Sequence, residues 1–584
     1  MICVAFDIGN QNSYTGAIIN ECPEVIPSEY GGRSIPTCVS IRPTYRIMGN
    51  VAKNEMSLNL DTTFLNFKHL LSPDANLKEW DKYLFGKSLH IENGKLAFHL
   101  NYQNNQIFIE PLQLYASILK HLKSNVIKMC PDNKTFTEMI LTCPHFFDKT
   151  QRQYMVAAAK IAGLPDPIIL NENQALALTY SDSQCSGLKI DKHVLFLNIG
   201  HSHLDVTLFQ FYGKLATDTP VILLKKEKFS LEVGGIYFDE VLVKHFVDAF
   251  RNKYKIDVKE NSIEYLRLLN ECESVKKKLE NGSENVVLRL DNFLGIEEVT
   301  GEINKMKFNG LCGHLYNIIK NTIFRVLEET NCMTADIDDI ILAGGSSRIR
   351  KISEIVKEIF KKDPLTTINQ EEAVALGAII YSQRKAYFLE TGNNVEGIIY
   401  KNEETLDSEL AKYQARKDQN NISFLRGAWN CFCSTIGKFF GCCYGSRKSS
   451  YDKMNSKQMN HTKVDQEYEL EERRNSKSDI PCDALAAYIK QEEQFTKDEE
   501  IHQNIGKKHN DLEDKVIYVL DLMEEIKTLD PNQNLNEFSI KANQLEDWLR
   551  AENFNKNIAD YQIKEIYIEE VEKSLNTLYG SITK

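Results

Sequence analysis

The strongest constraint on this chain is a strand, turn and strand pattern that occurs twice, far apart in the sequence. ICVAFDIG reads as a buried strand, and SYTGAIIN as its returning partner across a polar turn. Much later VLFLNIG, a turn over His201 to His203, and LDVTLFQF repeat the arrangement. An echo of this kind predicts two related lobes, each opening with a hairpin whose turn faces a shared cleft. Around the hairpins, from Met1 to about Gln383, apolar runs alternate with amphipathic helices, which marks an α/β region.

The turns carry the chemistry. Small or polar residues in a hairpin turn let backbone N–H groups face a phosphate, and a carboxylate at the strand end can hold Mg²⁺ through water. Asp7, Gly9, Asn10 and Gln11 meet that description in the first hairpin, and Asn198, Gly200, His201, Ser202 and His203, followed by Asp205, in the second. IILAGGSSRI adds a buried strand running into Gly344, Gly345, Ser346, Ser347 and Arg348, where glycines allow a base or ribose close to the backbone. Together these predict a nucleotide clamped between two lobes. A DxG turn or a GG pair by itself is commonly an ordinary turn.

Two helices are legible between the strands. PLQLYASILKHLKSNVIKMC puts Tyr115, Ile118, Leu119, Leu122 and Val126 on one face behind Pro111, and FDEVLVKHFVDAF aligns Phe238, Val241, Leu242, Phe246, Ala249 and Phe250. From Arg384 to about Ile480 the periodicity fades into polar residues, which predicts a largely disordered linker with no run of alternating strands. Beyond Pro481 helical spacing returns. Leu512, Val516, Val519, Leu520, Met523 and Ile526 form one stripe that ends at Asp530 and Pro531. Ile563, Ile566, Tyr567, Val571, Leu575 and Leu578 form another. The expected domains are therefore 1–383, a linker over 384–480, and an α-helical bundle over 481–584.

A formal charge of -12 on 584 residues argues against nucleic acid as a partner, since phosphate neutralisation needs clustered bases. The first residues run straight into a strand, and no stretch reaches the roughly 18 apolar residues of a spanning helix, so the expectation is cytoplasmic. The scattered cysteines Cys3, Cys38, Cys143, Cys272 and Cys312 sit in apolar or helical patterns and fit a reducing compartment. Cys431, Cys433, Cys442 and Cys443 differ: they cluster in residues 424–448 with aromatic and basic side chains. Acylation with peripheral membrane contact, packing of an apolar linker, and zinc are three readings of that patch.

The order DIGNQ, LNENQALA, NIGHSH, GG and AGGSSRI, with CPHFFDKTQRQYMVAAAKIAGL between the first two, resembles the ATPase domain of the seventy-kilodalton heat-shock family. Its large, hundred-and-ten-kilodalton branch is the nearer match, through GNQNS, IGHS, GGIYFDEVLVKHFVDAFRNKYKID and the C-terminal LAAYIKQEEQ and QLEDWL. The resemblance implies a two-lobed actin-like fold that binds ATP and Mg²⁺. It places Asp7 near the metal, Lys68 at the γ-phosphate, Glu172 on the metal and attacking water, and Asp205 among the catalytic groups. Gly234 and Gly235 would flank the β-phosphate, and Glu273, Lys276 and Lys277 would face ribose and adenine opposite Gly345, Ser346 and Arg348. On residue pattern alone Lys276 and Lys277 equally suit a solvated helix face, and Ile349 belongs in the core.

Departures from the family pattern shape the functional expectation. Asn198 stands where the family has aspartate, and a neutral amide supplies no charge to hold hydrated Mg²⁺. His203 replaces a threonine and Glu280 a serine, the latter adding a carboxylate near the expected adenine. Weak ATPase activity at most is expected, with no β-sandwich for clients. The implied function is an ATP-binding chaperone or co-chaperone acting in protein folding and stress response. Its expected role is nucleotide exchange on a seventy-kilodalton heat-shock chaperone, with unfolded clients as a further partner. A membrane-tethered adaptor that has lost nucleotide turnover is the alternative; a sugar kinase would need an acceptor site the sequence does not display.

Overall fold

The computed structural model describes residues 2–20, 22–71, 89–92, 95–130, 135–184, 191–212, 221–260, 262–390, 399, 480–550 and 557–582. The cysteine patch at 424–448 and nearly all of the expected linker lie outside the described residues. Two compact units emerge. One comprises Met1–Ser40, Met48–Leu100 and Gln106–Ala486; the other comprises Ile41–Ile47, Asn101–Asn105 and Ala487–Lys584.

The repeated hairpins build two sheets of the same plan within the first unit. In the first sheet strand Ile2–Ile8 pairs antiparallel with Asn12–Ile19, which pairs antiparallel with Cys22–Val25. On its other side Ile2–Ile8 runs parallel to Phe136–Cys143, which runs parallel to Ile168–Asn171. The second sheet repeats this with Lys192–Ile199 between Leu204–Tyr212 and Asp339–Ala343, Val221–Ser230 at the edge, and a parallel bridge from Ile341 to Leu365. Both turns close identically. Gly9 N–H donates to Asn12 O at 3.0 Å, and Gly200 N–H to His203 O at 3.1 Å. Sequence similarity between the hairpins is thus a geometric equivalence, pairing Asp7 with Asn198.

A helix follows each parallel arm: Glu172–Ser183 after the first sheet and Ala373–Glu390 after the second. They cross at Gly377, where a Cβ would collide with the Ala175 carbonyl, and Thr179 Oγ1 donates to Ala373 O at 2.6 Å. Only a glycine lets the backbones approach this closely. The second helix passes Gln383 without interruption and ends at Glu390, so Arg384–Glu390 is helical rather than linker.

Local signals explain the other helices. Pro111 opens Pro111–Met129 behind a Glu110/Gln113 capping box, and Tyr115, Ile118, Leu119, Leu122 and Val126 are all fully buried. In Gly235–Tyr254 the buried side is Phe238, Leu242, Val243, Phe246 and Phe250; Val241 and Ala249 lie at its margin. Ile349 packs in the core of this region. Cys38, Cys143, Cys272 and Cys312 are buried.

The C-terminal region is helical over Cys482–Leu529, Asn536–Arg550 and Ile558–Ile582. Leu512, Val516, Val519, Met523 and Ile526 are buried there, joined by Leu522, while Leu520 packs at the edge. In the last helix Val571 and Leu575 of the expected stripe are in the core with Tyr567 and Leu578 packed against it, whereas Ile563 and Ile566 are 65% and 61% exposed and Tyr561 and Ile568 are buried instead. Tyr561 stacks edge-on to Trp548 at 5.0 Å. Among the described residues no helix is long and apolar enough to cross a membrane.

Candidate nucleotide site

The strand ends and turns of the two sheets bring the expected residues to one cleft. Asp7 ends its strand buried, its Oδ1 accepting from Thr142 Oγ1 at 2.6 Å. Burial and the neighbouring Glu172 push the Asp7 carboxyl up to about 6, against the opposing pull of Lys68. Thr37 Oγ1 donates to Gly9 O at 2.8 Å and pins that turn. Asn10 Nδ2 reaches Asn66 Oδ1 at 3.4 Å, leaving its buried Oδ1 without a hydrogen bond.

Lys68 and Glu172 form a buried pair, Nζ to Oε1 at 3.0 Å. Burial alone would raise the Glu172 carboxyl, yet Lys68 and His203 together hold it well below the usual carboxylate range. His203 Nε2 stands 3.7 Å from Glu172 Oε2 and 3.5 Å from Asp205 Oδ2. Burial disfavours its charge, but the two carboxylates outweigh it and raise the imidazole to about 9. Asp205 Oδ1 is also 3.0 Å from His145 Nδ1. These contacts lie within ionic reach, although neither Asp205 oxygen has an aligned hydrogen bond.

Side-chain hydrogen bonds also cross between the lobes, among them His69 Nε2 to Ser202 Oγ at 2.7 Å and Gln11 Nε2 to Glu273 Oε1 at 3.0 Å. Burial and Lys276 push His201 down to about 3, so it is neutral at physiological pH. The Gly234 and Gly235 pair lies against the second turn. Gly235 N–H donates to Gly200 O at 3.0 Å, and a Cβ on Gly234 would meet His201 O at 2.6 Å. Lys276 braces this junction through Gly235 O at 3.0 Å and Asp239 Oδ2 at 2.7 Å, so it is not part of a solvated face. Lys277 is exposed and pairs with Glu273 at 2.7 Å.

The third element closes the same region. Gly344 adopts φ +78°, its position excluding a Cβ against the Ile199 carbonyl and, at 2.8 Å, Asn198 Oδ1. Ser346 Oγ donates to Gly200 O at 2.8 Å, Gly345 stands beside Glu371, and half-exposed Arg348 lies 3.6 Å from Glu371. Glu280 has a different task from the expected one: its Oε2 accepts the Arg350 backbone N–H at 2.8 Å at the start of helix Arg350–Phe360, with Lys305 at 3.5 Å.

His69, His145 and Thr142 were missing from the sequence-derived set. His69 and His145 had a weak signal, each adjoining a recognised motif; Thr142 looked like any strand residue.

Two lobes built on one repeated plan, with polar turns and a glycine pair converging between them, define an actin-like nucleotide-binding fold. The family model described as Hsp70 protein matches residues 3–420, and the chain belongs to that family. It is 34% identical over 386 residues to heat shock protein 110 of Caenorhabditis elegans, covering 65% of this chain and 49% of that protein. It is 31% identical over 388 residues to the 97 kDa heat shock protein of Strongylocentrotus purpuratus, covering 65% and 42%. Over 390 residues it is 31% identical to heat shock 70 kDa protein 4L of Homo sapiens, covering 65% and 45%. The chain thus spans about half the length of the curated relatives it matches.

Proposed function

We propose that this chain is an ATP-binding chaperone or co-chaperone that acts as a nucleotide exchange factor on a seventy-kilodalton heat-shock partner, with weak or absent hydrolysis. The observation that carries the reading is the pairing of Asp7 with Asn198 in equivalent turns of an otherwise intact cleft. One lobe keeps its carboxylate and the other has a neutral amide. Binding and closure survive that change better than water activation does, because activation needs concentrated charge around the metal.

The residues fit a nucleotide. Asn10 Oδ1 and Asp239 Oδ1 are buried acceptors without hydrogen bonds, and the glycine pairs leave room for close backbone approach. In this reading the phosphates would lie against those turn N–H groups that are not already committed, close to the backbone of Gly234 and Gly235, and Lys68 would be the cation for the γ-phosphate. Glu273, Lys276 and Lys277 lie on the ribose side, with Gly345, Ser346 and Arg348 opposite. Mg²⁺, when bound, supplies positive charge to the phosphates, and Asp7 is the residue to hold it through water. Glu172 and Asp205 complete the acidic floor. The His69–Ser202 and Gln11–Glu273 bridges favour closed lobes, and nucleotide adds to closure by binding that state more tightly. Closed lobes then present one fixed surface to the partner. The cytoplasm is the compartment this role requires.

The test is ADP release from a seventy-kilodalton chaperone loaded with fluorescent ADP, with and without this chain and ATP. ATP-dependent acceleration is expected. No acceleration by the folded chain overturns the exchange-factor reading and favours the adaptor. A single-turnover assay checks the second part: chemistry as fast as in an ordinary family member rules out weak hydrolysis.

A further inference from the structure

On the floor of the cleft three donor atoms converge. Glu172 commits Oε1 to Lys68 at 3.0 Å and turns Oε2 toward His203 Nε2 at 3.7 Å. Asp205 sets Oδ1 3.0 Å from His145 and Oδ2 3.5 Å from the same His203 nitrogen. Each carboxylate therefore has one oxygen held from behind and one facing the imidazole. Glu172, His203 and Asp205 offer one ligand atom apiece within 4.8 Å of one another, all buried. His203 is 8% exposed and Asp205 0%, yet neither ring nitrogen and neither Asp205 oxygen makes a hydrogen bond. Buried polar atoms without aligned partners call for a ligand.

The spacing discriminates among ions. Tetrahedral ligands at roughly 2.0–2.1 Å from zinc lie roughly 3.3 Å from one another. The two His203 distances, 3.5 and 3.7 Å, reach that with small side-chain movements. One imidazole with two carboxylates suits zinc or manganese, whereas magnesium prefers oxygen ligands and retains its waters. Lys68 and His145 orient the two carboxylates from outside, as second partners do in metal sites.

We propose that Glu172, His203 and Asp205 form a direct three-ligand site for a borderline divalent transition ion, with zinc the best match. The site shares Glu172 and Asp205 with the floor of the proposed nucleotide cleft, but all three ligands come from the chain, so ion binding without nucleotide tests it independently of exchange activity. The competing occupant is a proton on His203, bridging the two carboxylates.

The experiment uses the full chain with Cys431→Ser, Cys433→Ser, Cys442→Ser and Cys443→Ser, stripped with chelator and titrated without nucleotide. One equivalent of Co²⁺ should produce visible d–d bands without a thiolate charge-transfer band, and Zn²⁺, but not excess Mg²⁺, should abolish them. His203→Gln and Asp205→Asn should each weaken zinc binding by more than roughly 10- to 100-fold, the scale of losing only an outer partner of a ligand. Absence of cobalt bands in the chain that retains His203 overturns the proposal, whether or not the variants fold. Unchanged zinc affinity in a folded His203→Gln variant does so as well.

Discussion

Arg46 and Glu492, 446 residues apart, meet in a buried bidentate pair with Nη1 to Oε2 at 2.8 Å and Nη2 to Oε1 at 2.7 Å. Arg46 Nε also donates to Glu499 at 2.8 Å, and the guanidinium lies 4.9 Å from the Phe495 ring centroid. Tyr102 adds a 2.7 Å hydrogen bond to Asp498. Glu492, Phe495 and Glu499 recur at helical spacing, so one helix face grips one arginine. Arg46→Ala would leave two carboxylates facing an empty place, at a cost of about 3–5 kcal/mol. Hydrogen exchange across residues 487–500 should rise sharply in that variant; unchanged protection would mean the pair is dispensable.

Gly234 and Gly235 should respond differently to alanine. At Gly234 the new Cβ would meet backbone, His201 O at 2.6 Å and His203 N at 2.8 Å, so the turn itself must move. At Gly235 it would meet Ser346 Oγ at 2.5 Å and Lys276 Nζ at 3.6 Å, which are ends of side chains that can rotate away. Gly234→Ala should lose about 1–3 kcal/mol of stability and Gly235→Ala less. Urea denaturation of the two variants checks the order.

His203 should make stability depend on pH in the alkaline range. Its imidazole is raised from 6.5 to about 9 because Asp205 and Glu172 outweigh burial, with His69 and His145 as the neighbouring imidazoles. A raised value in the folded chain means the proton stabilises folding fully below about pH 6.5, and the gain fades as pH rises through 9. The difference in melting temperature between the metal-stripped chain and His203→Gln should therefore shrink over that interval. A constant difference would mean that His203 is neutral throughout.

Glu280 is expected to act on stability and not on nucleotide affinity. It accepts the first N–H of helix Arg350–Phe360, so Glu280→Ala should cost about 1 kcal/mol, the scale of a lost helix cap. Nucleotide titration should give an unchanged affinity; a clear gain would return this carboxylate to the adenine pocket.

Much of the cleft was legible in the sequence because its parts are local. These hairpins announce themselves through short apolar runs, buried along nearly their whole length, joined by a turn of small or polar residues, and both turns lie within a few positions of Asp7 and Asn198. The grouping of Lys68 with Glu172 came only through family resemblance, since 104 residues separate them. The same limit hid Thr142 beside Asp7, His69 beside Ser202 and His145 beside Asp205.

The sequence by itself determined the repeated hairpins, the core-facing helices and the residue types that line the cleft, since each follows from spacing along one segment. Tertiary structure alone decided which charges meet. It set His203 between two carboxylates, turned Glu280 into a helix cap, drew Lys276 under the glycine turn, and left Ile563 and Ile566 exposed while burying Tyr561 and Ile568. Electrostatic partners, and where along a helix its buried face ends, depend on distances through space between remote segments, and local periodicity carries no record of those distances.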